Sequence, residues 1–387
     1  MIKQVIPGID SFLSAAPEYK TKRLAIVTND VAKTTGGIYS RAALLKKGFT
    51  LVKIFSPEHG ITAAGADGSF QNNSRDVLTG LPVISLYGNY LSPTEKDLSD
   101  IDIVLFDIPD AGCRFYTYLW TMTFVMEACA LYKKQLIILD RPNPIGGNLL
   151  IAEGPMLDEE KCSSFIGRWS IPVRHSCTTG ELARYFAFIK INALDLKIIA
   201  VRNWQRNQMA GTTGFEFHPT SPAIKNSTAA LLYPGTGLLE GININEGRGT
   251  DKPFSVLGTP WIDAETLVEQ FQQKNLPGIS VKTCTYTPAD SLYKEEKCYG
   301  LELIITDEQK LGPVKTGIEL LKTLISLYPE KIEERFYTTR ANPSGGGHLD
   351  KLLGIENAFE QIRNGYHIDN DVSKSWPKII RPFLLYS

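Results

Sequence analysis

Ile101-Asp-Ile-Val-Leu-Phe-Asp-Ile108 (IDIVLFDI) is nearly continuous in apolar residues and does not alternate with polar ones. A strand with one wet face alternates, whereas a strand covered on both faces reads as an unbroken apolar run. Moving outward, the same signature recurs at Gln135–Asp140 (QLIILD) on one side. On the other side it recurs at Pro82–Tyr87 (PVISLY), Leu51–Ser56 (LVKIFS) and Arg23–Asn29 (RLAIVTN). Helical segments fall between these runs, at Ser40–Lys47 and at the long apolar stretch Tyr116–Lys134. Ser92-Pro93-Thr94-Glu95 reads as a capping box with proline at the first helical position, and Thr178 and Glu181 are spaced as a second box. The β-α-β-α order predicts a doubly wound α/β layer.

The chain changes character between about Trp204 and Thr259, where Gly, Asn and Pro accumulate and long periodic runs are few. A helix at Asp263–Lys274, strands at Ile279–Tyr286 and Leu301–Thr306, and a helix at Pro313–Leu327 follow. This order predicts a smaller α+β unit. Residues 1–258 are expected to form the catalytic α/β domain and residues 259–387 the auxiliary one.

With 43% hydrophobic and 21% charged residues the 387-residue chain has globular composition, so long disordered tracts are not expected. Lys+Arg 41 against Asp+Glu 42 leaves a net charge of −1, which argues against a broad nucleic-acid surface. The six cysteines form no Cys-x-x-Cys pair, and a His-Glu-x-x-His helix is absent, so no metal site is expected. The first βα turn, Thr28 to Gly37, lacks Gly-x-Gly-x-x-Gly, which argues against a nicotinamide cofactor; no cofactor is expected. No stretch approaches the roughly 20 apolar residues of a membrane span. The expected compartment is periplasmic or extracellular if a signal has been removed, and cytoplasmic otherwise.

Ligands of open α/β sheets bind beyond the carboxyl ends of the strands. Three such ends carry chemistry. Pro57-Glu58-His59-Gly60 follows LVKIFS, Asp110, Arg114 and Tyr116 follow IDIVLFDI, and Arg141 and Asn143 follow QLIILD. A carboxylate beside a histidine suits general acid or base work, so Glu58 and His59 are expected in the site, with Asp110 as a further catalytic candidate. His175, ahead of the Thr178 box, either lines the site or satisfies a loop. The Gly-rich segment Tyr233–Thr250 brings Glu240, Asn245, Glu246 and Arg248, donors and acceptors suited to sugar hydroxyls and a carboxylate. Phe115, Tyr116, Tyr118 and Trp120 are core residues of which one or two could stack on a sugar ring. His218, His348 and His367 read as structural or surface groups.

Ordered along the chain stand SPEHG, TGLPVISLYG, FDIPDAGCRFYTY, LDRPNPIGG, EGP, IPVRHSCTTGELA, LYPGTGLLEG, NEGRGT, HLDKLLG and PFLLYS. Together they resemble domain-of-unknown-function family 1343, whose characterised members are exo-β-N-acetylmuramidases of glycoside hydrolase family 171. The resemblance runs from roughly Val5 to the C-terminus. It implies a Rossmann-like N-terminal domain, a smaller C-terminal domain, a cleft between them, and release of terminal N-acetylmuramic acid from peptidoglycan fragments. Glu58 corresponds to the glutamate of the family's Pro-Glu-His-Gly motif. The run Ile61–Phe70 departs from the Arg-containing run usual after that motif, which implies altered substrate contacts. Glycoside cleavage usually employs two carboxyl groups. Glu58 is expected to be one, with Asp107, Asp110, Glu240 and Glu246 as candidates for the other, unless the substrate acetamido group assists instead. The muramyl lactate calls for a cation, with Arg248, Arg141 and Arg114 as candidates in that order. The rival reading is a non-catalytic amino-sugar or muropeptide-binding protein. An ester or amide hydrolase lacks support, because no Gly-x-Ser-x-Gly elbow is present.

Overall fold

The computed structural model describes residues 3–387 other than 67, 213, 337, 339–342 and 344. Among the described residues, seven strands form one sheet: β1 (Arg23–Thr28), β2 (Thr50–Ser56), β3 (Ser74–Arg75), β4 (Pro82–Ser85), β5 (Ile103–Asp107), β6 (Gln135–Leu139) and β7 (Leu196–Ile199). Their order is β3-β4-β2-β1-β5-β6-β7. Every pairing is parallel except β3 on β4. Setting aside β3, which sits on the edge, this is the Rossmann order 3-2-1-4-5-6, and it places the topological switch between β1 and β5.

The central strands β1, β5 and β6 read as unbroken apolar runs because they have no wet face. Along β1, Leu24 and Ile26 pack into one hydrophobic cluster while Ala25 and Val27 pack into another on the opposite face. The first cluster holds Ile9, Phe12 and Leu44, from the helices Gly8–Ala15 and Ser40–Lys46. The second holds the helices Thr117–Leu131 and Thr179–Lys190. The Thr117–Leu131 helix is buried almost all round, including Trp120, and so carries no amphipathic stripe.

Two local expectations meet different fates. The Thr178 box forms as expected, with Glu181 Oε2 accepting from the Thr178 amide. The first box is shifted by two residues: Thr94 caps the Glu95–Leu98 helix and Asp97 is its third residue. Both frames offer a hydroxyl followed three residues later by an acid, and packing of Leu98 in the core favours the second.

The C-terminal layer is an antiparallel sheet of β8 (Val256–Thr259), β9 (Ile279–Tyr286) and β10 (Cys298–Ile305) in the order β8-β10-β9. The helices Ala264–Gln272 and Pro313–Leu327 pack with it. β8 runs across the expected boundary at 258. The Gly-rich region holds a helix that periodicity did not show, Ser227–Thr236, with Pro234 inside it and its residues from Ala229 onward buried. It packs on the Pro313–Leu327 helix through Gly235 and Gly317, where a Cβ on either would overlap the backbone of the other helix. The cysteines are all free, and all but the half-buried Cys284 are buried.

Candidate active site

β2 ends at Ser56, and the chain turns at once, with the Gly60 amide donating to the Pro57 carbonyl (3.1 Å). His59 (φ 66°) and Gly60 (φ 72°) both lie in the left-handed region. For histidine this is strained, and the strain persists only where the surroundings hold it. Here Nδ1 of His59 lies 2.8 Å from the Gly65 carbonyl, and its ring meets the edge of Tyr118. A carbonyl only accepts, so Nδ1 carries a proton and donates this bond.

The same turn aims Glu58 into a cleft of about 800 Å³, counting its open mouth. Glu58 is buried, 6% exposed, and both oxygens accept hydrogen bonds. The Gly68 amide donates to Oε1 (2.7 Å) and the Thr117 hydroxyl to Oε2 (2.6 Å). Thr117 opens a 15-residue helix, whose positive end therefore faces the carboxyl group. The neighbouring rings continue the wall edge to face. Tyr116 lies 4.9 Å from Tyr118 and 6.1 Å from Tyr233, and Tyr233 lies 4.8 Å from Phe254. Burial pushes the Tyr116 hydroxyl well above the usual phenol range, so it stays protonated.

Glu240, Arg248, Phe254, His348 and Leu352 line the same cleft from later in the chain. Arg248 stands between Gly247 (φ 83°) and Gly249 (φ 79°), a backbone path that other residues rarely take. Its guanidinium bridges two carboxylates, Nη2 to Glu240 (2.8 Å) and Nε to Glu246 (2.7 Å), and lies 5.0 Å from the centre of the Phe254 ring. Asn245 shapes this loop from beneath. Its Oδ1 accepts from the Gly247 amide and the Tyr286 hydroxyl, and its Nδ2 donates to the Leu292 carbonyl. Burial and then the nearby Arg335 pull the His348 imidazole down to about 4, so it lines the cleft as a neutral ring at pH 7.

Of the residues singled out from the sequence, Glu58, His59, Phe115, Tyr116, Glu240 and Arg248 line one cleft. Glu246 reaches it through Arg248, and Asn245 supports the loop. The others are placed elsewhere. Arg114 is wholly buried and spends its donors on the carbonyls of Pro155, Ile171 and Leu352; burial pulls it down to about 10. Arg141 forms a two-pronged pair with Asp107 (2.6 and 3.0 Å), so neither Arg141 nor Asp107 lines the cleft. Asn143 spans a turn, accepting from the Ile145 amide and donating to the Cys177 carbonyl. Asp110 accepts from the Gly112 amide and lies 3.6 Å from Nε2 of the fully buried His175. Asp110 faces a separate small pocket lined also by Arg141 and His218. Arg114, Arg141, Asn143, Asp110 and His175 thus lie outside the lining of this cleft, in the loops beside it. His348 moves the other way, from a presumed structural group to the cleft wall. Thr117 was missed because a threonine at a helix start carries no signal of the distant carboxylate that it bonds.

A carboxyl group held by an amide and a hydroxyl, sharing an aromatic-lined cleft with a second carboxylate fixed by an arginine, suits acid-assisted cleavage of a polar, ring-bearing substrate. Residues 24–228 match the family model described as exo-beta-N-acetylmuramidase NamZ, N-terminal, and residues 231–386 match its C-terminal counterpart. The chain is 38% identical over 387 residues to a Bacillus subtilis (strain 168) protein named peptidoglycan beta-N-acetylmuramidase NamZ, covering 98% of this chain and 89% of that one. Two solved structures of family-1343 proteins from Bacteroides fragilis NCTC 9343 are also similar. One has a TM-score of 0.85 at 28% identity, covering all of both chains. The other has a TM-score of 0.74 at 29% identity, covering all of this chain and 99% of that one.

Proposed function

The chain belongs to the exo-β-N-acetylmuramidase NamZ family, and from that premise we propose that Glu58 is the general acid and Glu240 the second carboxyl group of its reaction. The reaction is hydrolytic: an exo-acting glycoside hydrolase releases terminal N-acetylmuramic acid from peptidoglycan-derived fragments. The observation that carries the assignment of roles is the shared cleft. Of the five carboxylates considered, only Glu58 and Glu240 line it.

In this reading the Glu58 carboxyl protonates the glycosidic oxygen as the bond to the muramic acid carbon breaks, and water completes the hydrolysis. Thr117 suits both protonation states of Glu58, because a hydroxyl donates to a carboxylate and, rotated, accepts from a carboxylic acid. The lactyl group adds a carboxylate to the sugar. Arg248 is our candidate for its partner, since of the three arginines considered it alone lines the cleft. The bracketing by Glu240 and Glu246 holds the guanidinium plane in place before substrate arrives. The near-neutral charge balance favours a sugar substrate over nucleic acid as the partner.

The test compares kcat/KM on matched muraminide and glucosaminide substrates for wild type and Arg248→Met. The wild type is expected to prefer the muraminide by about tenfold to a hundredfold, the worth of one added hydrogen bond between charged groups. Arg248→Met is expected to lose most of that preference. A preference left intact would remove Arg248 from the role, and equal wild-type rates on the two sugars would remove the lactyl contact altogether.

A further inference from the structure

Two exposed aromatic rings, Phe70 (54% exposed) and Tyr90 (64% exposed), stand on segments that lead into the cleft beside Glu58. A single exposed ring is ordinary. These two belong to segments that are laced together and that each contribute to the cleft. The Gln71 amide donates to the Tyr87 carbonyl (3.0 Å). Gly88 lets the segments pass closely, because a Cβ there would lie 2.7 Å from the Gln71 carbonyl oxygen and 3.6 Å from Phe70 Cζ. The Phe70 ring therefore lies over Gly88, two residues from Tyr90. Gly68 and Tyr87, the inner ends of the two segments, line the cleft itself.

Gly68 is also the amide donor to Glu58. Two residues of chain separate it from Phe70, a Cα separation of at most about 7 Å. A general acid protonates the oxygen that departs with the leaving group, so the leaving sugar is the unit that extends past the acid toward the mouth. Phe70 and Tyr90 follow two and three residues after Gly68 and Tyr87, on the segments that leave the cleft there. Exposed Asn72 and Asn89 flank them, supplying amide donors and acceptors beside the rings. A pyranose has an apolar face of C–H groups and a polar rim of hydroxyls, which matches a ring with amides at its edge.

The geometry points to a leaving-group subsite in which Phe70 and Tyr90 form a platform for the amino sugar released from muramic acid. The inference rests on the hydrolase reading above and deepens it. It assigns recognition of the second sugar to the 68–72 and 87–90 segments, apart from the groups that hold the terminal muramic acid.

The experiment uses the full chain with two substrates. One is a disaccharide with muramic acid linked to an amino sugar; the other is trifluoroethyl muraminide, whose leaving group has no ring to stack. The Phe70→Ala/Tyr90→Ala variant is expected to lose about tenfold in kcat/KM on the disaccharide, the upper range of an aromatic contact. It should stay within about twofold of wild type on trifluoroethyl muraminide, where no ring contact is lost. Phe70→Tyr, with Tyr90 retained, should keep the disaccharide rate. Both side chains are exposed, so thermal midpoints should match wild type. Equal loss on both substrates, or none on the disaccharide, would overturn the platform while leaving the hydrolase reading intact. A wild type that cleaves neither muraminide would overturn the hydrolase reading and the platform with it.

Discussion

Glu58 and Thr117 lie 59 positions apart in the chain and meet at 2.6 Å, in a hydrogen bond that orients the carboxyl oxygen Oε2. Glu58→Gln keeps the size and most of the hydrogen bonding but removes the transferable proton. Turnover is expected to fall by at least about 10²-fold, the lower end of general acid contributions. Thr117→Val removes only the hydroxyl. It should lower kcat by about tenfold with little change in KM, as expected when an interaction serves the transition state. Thr117 acts through Glu58, so the double variant should be no slower than Glu58→Gln alone. Steady-state kinetics on all three variants check this. Additive losses would mean that Thr117 touches the substrate in its own right. The sequence marked Glu58 by its place after a strand, but it left Arg248, Arg141 and Arg114 as alternatives. Each is an arginine in a loop. What separates them is partner geometry, Asp107 for Arg141 and three carbonyls for Arg114, which no local pattern encodes.

Helix ends show a related division. The Thr179–Lys190 helix is capped from its own sequence, by Thr178 and Glu181, and its start was legible. The Pro313–Leu327 helix begins at Gly312, which offers no side-chain cap. Its cap comes from far away: Glu153 Oε2 accepts from the Val314 amide (3.2 Å), and Gly312 leaves the room that this carboxylate occupies. Burial pushes Glu153 up to about 7, and the nearby Arg174 guanidinium only partly offsets it. A carboxyl group raised in the folded state holds a proton that the unfolded chain has already lost. Stability is therefore fully present below about pH 4.5 and declines as pH rises through about 7. By linkage, about 3 kcal/mol of stability is lost across that window. Asp140, pushed up to about 6 mainly by burial, works in the same direction over a narrower range. Glu153→Gln keeps an acceptor for the helix amide and has no proton to lose. Its urea midpoint, measured between pH 5 and 7.5, should fall less steeply than that of the wild type. A parallel decline in both proteins would mean that Glu153 does not carry the pH dependence.

Across the whole molecule, Arg114 ties the loop after β5 to the His348–Leu353 helix, 238 positions further along the chain, through the Leu352 carbonyl. Arg114→Met keeps the bulk but leaves three buried carbonyls without this donor. The expected loss is about 2–5 kcal/mol, since each orphaned acceptor keeps its desolvation cost. Chemical denaturation reads it as a lower midpoint. Unchanged stability would mean that relief from burying the charge offsets the lost bonds. The tie also bears on the cleft, because Leu352 lines it together with Glu58. By itself the sequence determined the parallel sheet, because burial on both faces leaves an unbroken apolar run that is visible in one dimension. It also determined the Thr178 cap and the turn after β2, where side chain and backbone partners are neighbours in the chain. Only the tertiary structure decided which carboxylates and which arginine share the cleft, why the Ser227–Thr236 helix forms in a Gly- and Pro-rich region, and where His348 faces. Those outcomes rest on contacts between residues tens to hundreds of positions apart, and such contacts leave no period or spacing in the chain.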